Sequence, residues 1–272
     1  MIPAPFDYEV AGSVDEAVEL LGREDAKLLA GGHSLLPLLR LRFAQPSLLV
    51  DVSELSDLRY VRDAGDRLAI GALSRHHDLE TDPLLQEHCP LVSHVASLIG
   101  DPQVRHRGTI GGSVAHGDPA SDLPTVLLAL DAEYVIRGPQ GERTVAAEGF
   151  CTGVFDTVLG RQDMVTEIRV PKLGESGWAY VKFHQRAQDW ATVGVAAVVN
   201  GDARIAMTNM APKPLRASAA EEAFGSGGVE AAAAVADEGY DPPTDTMGTA
   251  DFRRHLSRVL TRRALEEAMS RR

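Results

Sequence analysis

Two glycine-rich turns, each leading into an apolar segment, place the strongest constraint on what this chain can fold into. The first, Gly31-Gly32, lies between the short buried run 27–30 and the apolar segment 35–41, and the second is residues 108–113. Adjacent glycines let successive backbone amides converge on one point, which suits a phosphate. One such turn is ordinary tight-turn chemistry. Two such turns, each with a serine and both in the N-terminal half of the chain, could hold the two ends of a pyrophosphate.

Neither turn matches the best-known nucleotide-binding fingerprints. Gly108, Gly111 and Gly112 do not have the Gly-x-Gly-x-x-Gly spacing, and no Gly-Lys-Ser or Gly-Lys-Thr ending is present. A Rossmann hydride-transfer enzyme and a P-loop nucleotidase are therefore disfavoured.

Local signals predict the secondary structure around these turns. Ser13 and Glu16 form a capping box that predicts a first helix, Ser34 is expected to cap a second, and Pro90 opens another. Runs at 48–52, 68–70, 134–136 and 164–170 are typical of strands, so helices and strands alternate in this half. Beyond residue 177, β-branched runs joined at Gly201 predict a hairpin, and the chain ends in an amphipathic helix.

The length of 272 residues predicts two domains, since roughly 150 residues per domain is typical. The polar, glycine-containing stretch 172–177 is the predicted boundary. We therefore predict an α+β protein with an α/β domain at 1–173, itself in two parts split near residue 55. A smaller domain at 177–272, an antiparallel sheet backed by helices, is expected to follow.

Charge and cysteine content exclude several classes of protein. The 27 Lys and Arg against 39 Asp and Glu leave a formal charge of −12, so nucleic acid and anionic lipid are poor partners. Cys89 and Cys151 are too few for a disulfide framework, a four-cysteine zinc site or an iron–sulfur cluster. The N-terminal residues do not have the pattern of a secretion signal, and a cytoplasmic location is expected.

The motifs around both turns resemble the two flavin-binding signatures of the molybdenum hydroxylases, in the FAD-binding medium subunit of the carbon monoxide dehydrogenase type. The first motif is residues 30–35 with Pro37 and Arg40, and the second is residues 109–113 followed by Pro119 and residues 121–124. Residues 6–8, 101–105 and 189–191 extend the resemblance over essentially the whole chain. It implies a vanillyl-alcohol-oxidase-like (PCMH) fold for the first domain and FAD as the cofactor.

The resemblance also implies the cofactor-binding residues. It implies that the backbones of the two turns hold the pyrophosphate, that Asp122 and Lys182 make polar contacts to FAD, and that Ile99 and Val165 line it. The full set is Ala30, Gly31, Gly32, His33, Ser34, Ile99, Thr109, Ile110, Gly111, Gly112, Ser113, Asp122, Val165 and Lys182. The family usually has Asn where this chain has Ser113, and a hydroxyl lacks the second donor of an amide.

Taken without the resemblance, several of these residues have simpler interpretations. His33 could equally be a surface imidazole, Asp122 a complement to a helix dipole, and Lys182 a solvated charge on a strand. Residues 251–272 hold seven arginines against three acids, which predicts a solvated helix face or, alternatively, a docking surface. No catalytic residue or metal site is predicted, in keeping with a cofactor that carries the chemistry.

By resemblance, the chain is an electron-transfer subunit and an oxidoreductase component. Electrons from a molybdenum cofactor in a large subunit would pass through [2Fe-2S] clusters in a small subunit to FAD, and then to an external acceptor. A dimer of heterotrimers is implied. Two alternatives stay open, namely a self-contained flavin oxidase of the same fold and a non-catalytic nucleotide-binding module. The substrate of the large subunit could be carbon monoxide, an aldehyde, a purine or another N-heterocycle.

Overall fold

A small parallel sheet forms the N-terminal part of the computed structural model, which describes residues 2–272. Its elements are β1 (Asp7–Val10), α1 (Val14–Leu20), β2 (Ala26–Leu29), α2 (Leu35–Leu41) and β3 (Leu48–Asp51), with strand order β1-β3-β2. The helix predicted from Ser13 is confirmed, because the Ser13 hydroxyl accepts from the Glu16 amide at 3.1 Å. The Glu16 carboxylate accepts from the amide of Gly12 instead of closing the box on Ser13.

A five-stranded sheet forms the central part, with strand order β4-β5-β10-β6-β7. Its strands are β4 (Val61–Asp63), β5 (Arg67–Gly71), β6 (Glu133–Gly138), β7 (Gly141–Ala146) and β10 (Met164–Pro171), and a separate two-stranded pair, β8 (Cys151–Gly153) with β9 (Asp156–Thr157), precedes β10 in the chain. All of its pairings are antiparallel. The alternation of helices and strands along the chain therefore does not produce a parallel sheet here, because β10 inserts between β5 and β6 from far along the sequence.

Seven helices accompany the central sheet. They are α3 (His76–Thr81), α4 (Pro83–His88), α5 (Pro90–Ser97), α6 (Pro102–Arg105), α7 (Ile110–His116), α8 (Asp122–Ala129) and α9 (Ala147–Phe150). The apolar side chains of α5 and α8 are almost entirely buried. These two helices therefore form the interior layer between the central sheet and the next part of the chain.

The C-terminal part is a four-stranded antiparallel sheet with two long helices. Its elements are β11 (Gly177–Phe183), β12 (Val193–Asn200), β13 (Asp202–Thr208), β14 (Leu215–Arg216), α10 (Ser218–Ala234) and α11 (Ala250–Ser270). The hairpin predicted at Gly201 is confirmed by the pairing of Asn200 with Asp202. The C-terminal amphipathic helix is confirmed as α11, which buries Leu256 and Leu260.

Both faces of the C-terminal sheet are covered. Tyr180, Ala196 and Val198 belong to the apolar cluster that includes α5 and α8, whereas Ala179 and Val195 pack with α10 and α11. Successive residues of a strand point to opposite faces, so the sheet lies between two helical layers. Side chains on the inner face of β11 are therefore buried although β11 is an edge strand.

The arginines of α11 mostly pair with acids of this same chain. Of the seven arginines in residues 251–272, five make ion pairs within the described part of the chain: Arg253, Arg254, Arg258, Arg262 and Arg271. The surface is thus close to charge-balanced, which favours a helix face with internal partners over a basic docking surface.

Candidate functional site

The structure brings the two glycine turns into backbone contact. A Cβ built on Gly31 would lie 2.1 Å from the carbonyl oxygen of Arg107 and 2.9 Å from the Cα of Gly108. Only a residue without a side chain permits this approach. The turn of the N-terminal sheet and the turn of the central part thus form one continuous structure, although they are far apart in the sequence.

The first turn presents free hydrogen-bond donors. The amides of Gly32, His33, Ser34 and Leu35 donate to no acceptor within residues 2–272. The prediction that Ser34 caps α2 is wrong, because its backbone is already helical and its hydroxyl makes no capping hydrogen bond. Four successive amides are therefore available to an anion.

The second turn is built differently. The amides of Ile110, Gly111, Gly112 and Ser113 donate to Ser74, Ala72 and Thr109 at 2.9–3.2 Å. The side chain of Ile110 is fully buried in the core. This turn therefore offers a ligand its exposed backbone at Gly112 and the side chain of Ser113, rather than a run of free amides.

Ser113 makes a contact that links the second turn to the next helix. Its hydroxyl lies 2.8 Å from the hydroxyl of Ser121, which precedes α8. A serine at this position thus ties the turn to the start of α8. The hydroxyl retains capacity for a second hydrogen bond, since it can both donate and accept.

Two cavities adjoin the turns. A cavity of about 100 Å³ is lined by Ala30, Gly31 and Thr109 together with arginines 59, 75 and 107, and one of about 460 Å³ is lined by Gly31, Gly32, His33, Leu36, Pro37, Arg40, Leu41 and Arg107. Leu36 and Leu41 are about half exposed. Arg107 borders both cavities, so it lies where the two turns meet.

The arginines around the smaller cavity were not predicted as site residues. Arg59 is already bound to the carboxylate of Asp78 by two hydrogen bonds of 2.6 Å. Arg75 and Arg107 form no ion pair among the described residues. Each arginine also has an acid near it, since the charge of Arg75 lowers the pKa of Asp78 and that of Arg107 lowers the pKa of Asp51, and Glu54 lines the same cavity. Guanidinium groups that lack an ion pair and lie near free amides favour an anionic ligand. The position of Arg107 directly before Gly108 was the only sequence signal for this role.

Asp122 and Lys182 meet in the interior. The Lys182 ammonium is 2.9 Å from Asp122 Oδ2, and the two side chains are only 6% and 8% exposed. The other carboxylate oxygen of Asp122 accepts from the Tyr180 hydroxyl at 2.5 Å. Lys182 also donates to the Leu98 carbonyl at 3.1 Å. The interpretation of Lys182 as a solvated strand charge is therefore wrong, because its face of β11 is covered by α5 and α8.

The two apolar residues implied to line the cofactor are both in the body of the protein. Ile99 follows the end of α5, next to the carbonyl that binds Lys182, and is partly buried. Val165 is buried in β10. Their contact with FAD stays a prediction.

The histidines do not form a metal site. No group of three His, Cys, Asp or Glu side chains that could hold a metal ion occurs between residues 2 and 272. His33 is exposed at the first turn. His76 is buried against Gly108, and burial lowers its pKa to about 4. It is therefore neutral at physiological pH.

Comparison with known proteins decides the family. The model described as the FAD binding domain in molybdopterin dehydrogenase matches residues 4–173, and that described as the CO dehydrogenase flavoprotein C-terminal domain matches residues 178–268. The chain belongs to the molybdopterin dehydrogenase flavoproteins. The resemblance noted in the sequence is confirmed, and FAD is the cofactor of this family.

Individual relatives match the chain end to end. The carbon monoxide dehydrogenase medium chain of Hydrogenophaga pseudoflava is 44% identical over 285 residues, covering 100% of this chain and 99% of the relative. The corresponding chain of Afipia carboxidovorans is 38% identical over 286 residues, with 100% and 99% coverage.

Solved structures give the same result. A carbon monoxide dehydrogenase from Hydrogenophaga pseudoflava superposes with a TM-score of 0.96 at 46% identity, covering 100% of this chain and 99% of that chain. Quinoline 2-oxidoreductase from Pseudomonas putida 86 superposes with a TM-score of 0.95 at 30% identity, covering 99% of both. The predicted α+β fold, with its antiparallel C-terminal sheet, is thus confirmed. No helix within residues 2–272 has the length and apolar character needed to cross a membrane.

Proposed function

We propose that this chain is the FAD-carrying electron-transfer subunit of a molybdenum hydroxylase. It accepts electrons from [2Fe-2S] clusters on a small partner subunit and passes them through FAD to an external acceptor. The observation that carries the proposal is the backbone contact between the two glycine turns, which sets the four free amides of residues 32–35 near Arg107. That donor set fits the doubly charged diphosphate of FAD.

Each group of proposed binding residues has its own role in holding the cofactor. The amides of residues 32–35 bind the diphosphate, and Arg75 and Arg107 balance its charge. The second turn, residues 109–113, supplies a backbone surface and the Ser113 hydroxyl. Asp122, Lys182, Ile99 and Val165 complete the site. When bound, FAD supplies the redox chemistry, which none of these side chains can supply.

The partners follow from what this chain lacks and from the names of its relatives. Cys89 and Cys151 are both free and buried, and they are too few to hold an iron–sulfur cluster. Relatives carry names such as medium chain or medium subunit of glyceraldehyde dehydrogenase and nicotine 6-hydroxylase. We infer a small [2Fe-2S] subunit and a large molybdenum subunit as partners, in a dimer of heterotrimers. These relatives share the medium-chain fold but are named for different substrates, so we place the substrate-binding site in the large subunit.

We further propose two domains, residues 1–173 with a division near 55, and residues 177–272. The gap between the two family matches, at 173 and 178, supports the boundary, as does the end of β10 at Pro171. We also propose a cytoplasmic location. The two unpaired thiols support it, since disulfides are rare in the reducing cytosol.

Expression with and without the partners tests the function. Co-expressed with its cognate small and large subunits, the chain should co-purify stoichiometrically and contain one FAD, released intact by acid because it is noncovalent. The chain alone should bind FAD but oxidise no substrate. Turnover by the isolated chain on the order of 1–10³ s⁻¹, ordinary for a complete enzyme, would instead support a self-contained flavin oxidase. A colourless chain that binds no FAD would support a non-catalytic module.

A further inference from the structure

A tyrosine of the C-terminal sheet reaches into the proposed FAD site. The hydroxyl of Tyr180, in β11, donates to Asp122 Oδ1 at 2.5 Å and lies 3.2 Å from the hydroxyl of Thr208. The Tyr180 side chain is buried. A short hydrogen bond from a hydroxyl to a carboxylate is among the stronger neutral-to-charged contacts in proteins.

The side chains that hold the Asp122 carboxylate both come from β11. Tyr180 binds one oxygen, and Lys182, two residues further on the same face of the strand, binds the other. The carboxylate belongs to α8, in the part of the chain that carries the glycine turns. Its position therefore depends on how β11 packs against α8.

The network continues to the second glycine turn and to the cofactor. Ser121, directly before Asp122, is bonded to Ser113 of the turn. The Lys182 ammonium has three donors, of which Asp122 and the Leu98 carbonyl use two, so one N–H is left for a ligand. A shift of Asp122 would move both of these groups.

The neighbouring strand leaves space for this tyrosine. Gly194 in β12 pairs with Lys182, and a Cβ there would lie 2.4 Å from the Tyr180 hydroxyl and 3.1 Å from the Thr208 hydroxyl. Burial, followed by the charge of Asp122, raises the pKa of Tyr180 well above its usual value. The hydroxyl thus remains a donor throughout the physiological pH range.

We propose that Tyr180 is a positioning residue of the FAD site, which fixes the Asp122 carboxylate and through it the Lys182 ammonium and the start of α8. The inference rests on the proposed function. Through this role of Tyr180, the affinity for FAD depends on the C-terminal sheet, although the glycine turns lie outside that sheet. Removing the hydroxyl should weaken FAD binding beyond any general loss of stability.

Two matched tyrosine variants of the full-length chain separate positioning from a structural role. Tyr180→Phe removes the hydroxyl from Asp122. Tyr240→Phe removes another buried hydroxyl of the C-terminal part, which donates to the Leu215 carbonyl at 2.8 Å and touches none of the network. The measurements are FAD titration by flavin fluorescence, the visible spectrum of the bound flavin, and urea unfolding of the FAD-free chain.

We expect Tyr180→Phe to raise the Kd for FAD at least tenfold and to shift the flavin spectrum, while Tyr240→Phe changes neither. Gly194→Ala should act like Tyr180→Phe, because its Cβ displaces the hydroxyl. If both tyrosine variants lose stability equally and keep the wild-type Kd and spectrum, Tyr180 is only structural. A wild-type chain that binds no FAD would instead defeat the proposed function itself.

Hydrogen exchange on the wild-type chain keeps the inference testable if a variant fails to fold. Saturation with FAD should slow amide exchange in β11 around Tyr180, but not in α10, which packs on the other face of the same sheet. Equal exchange in β11 with and without FAD, in a chain that binds FAD, would overturn the coupling.

Discussion

Gly31→Ala should separate the two turns and release the cofactor. The new Cβ would be 2.1 Å from the Arg107 carbonyl oxygen, whereas ordinary van der Waals contact begins near 3.4 Å, so the two backbones must part by more than 1 Å. The nearest atoms are all backbone, so no side-chain rotation relieves the clash. Overpacking of this kind costs about 1–3 kcal/mol. When this whole cost falls on the FAD-bound state, the Kd for FAD rises roughly 5- to 150-fold.

The assay is FAD titration of the variant with a glycine control. Gly149→Ala adds the same methyl group in α9, where a Cβ would meet no atom within 4 Å, and it should leave the affinity for FAD unchanged. Circular dichroism and thermal unfolding of both variants establish that they fold. If folded Gly31→Ala binds FAD as tightly as the wild type, contact between the turns does not create the diphosphate site, and the argument from their geometry fails.

Three further perturbations have defined outcomes. Arg107→Gln should weaken FAD binding several-fold at low salt and less at high salt, because exposed charges are screened; an effect independent of salt would contradict the charge-balancing role. Asp245→Ala removes the half-exposed carboxylate that pairs with the fully buried Arg253, which still donates to the carbonyls of Thr192 and Asn209, and should reduce the free energy of unfolding in urea by about 1–3 kcal/mol; an unchanged free energy of unfolding would show that the carboxylate does not stabilise the buried guanidinium. His76, with a folded pKa of about 4 against 6.5 unfolded, takes up a proton more readily when unfolded. The contribution of His76 to the free energy of unfolding is therefore fully present above pH 6.5. As the pH falls toward 4, up to about 3 kcal/mol of that free energy is lost. His76→Gln should flatten that part of the pH dependence in urea unfolding, and an unchanged profile would rule the histidine out.

Elements with local signals were predictable from the sequence. The Ser13 cap, the turn at Gly201 and the proline at the start of α5 each act within a few residues of themselves, so the chain around them adopts the predicted structure. Ser34 is also a residue type that caps helices, but its hydroxyl makes no capping hydrogen bond. Its amide and those beside it are left free at the turn, where the proposed function requires donors.

Pairings between distant segments were not predictable in this way. The insertion of β10 between β5 and β6 depends on which apolar edges meet, and alternation along the chain does not encode that choice. Arg75 and Arg107 are likewise ordinary in sequence, and only the tertiary structure shows that they line the cavity without the ion pair that Arg59 makes with Asp78.

The sequence by itself determined that the glycines of the two turns can approach another backbone closely or bind an anion. It also determined that the chain has too few cysteines for an iron–sulfur cluster. These are properties of individual side chains and their neighbours, so no fold is needed to read them. Only the tertiary structure decided that Gly31 touches the backbone before Gly108, and that Lys182 and Tyr180 are both buried partners of Asp122. Both depend on which faces are covered when separate sheets pack, because burial removes the water that would otherwise solvate a charge or separate two turns.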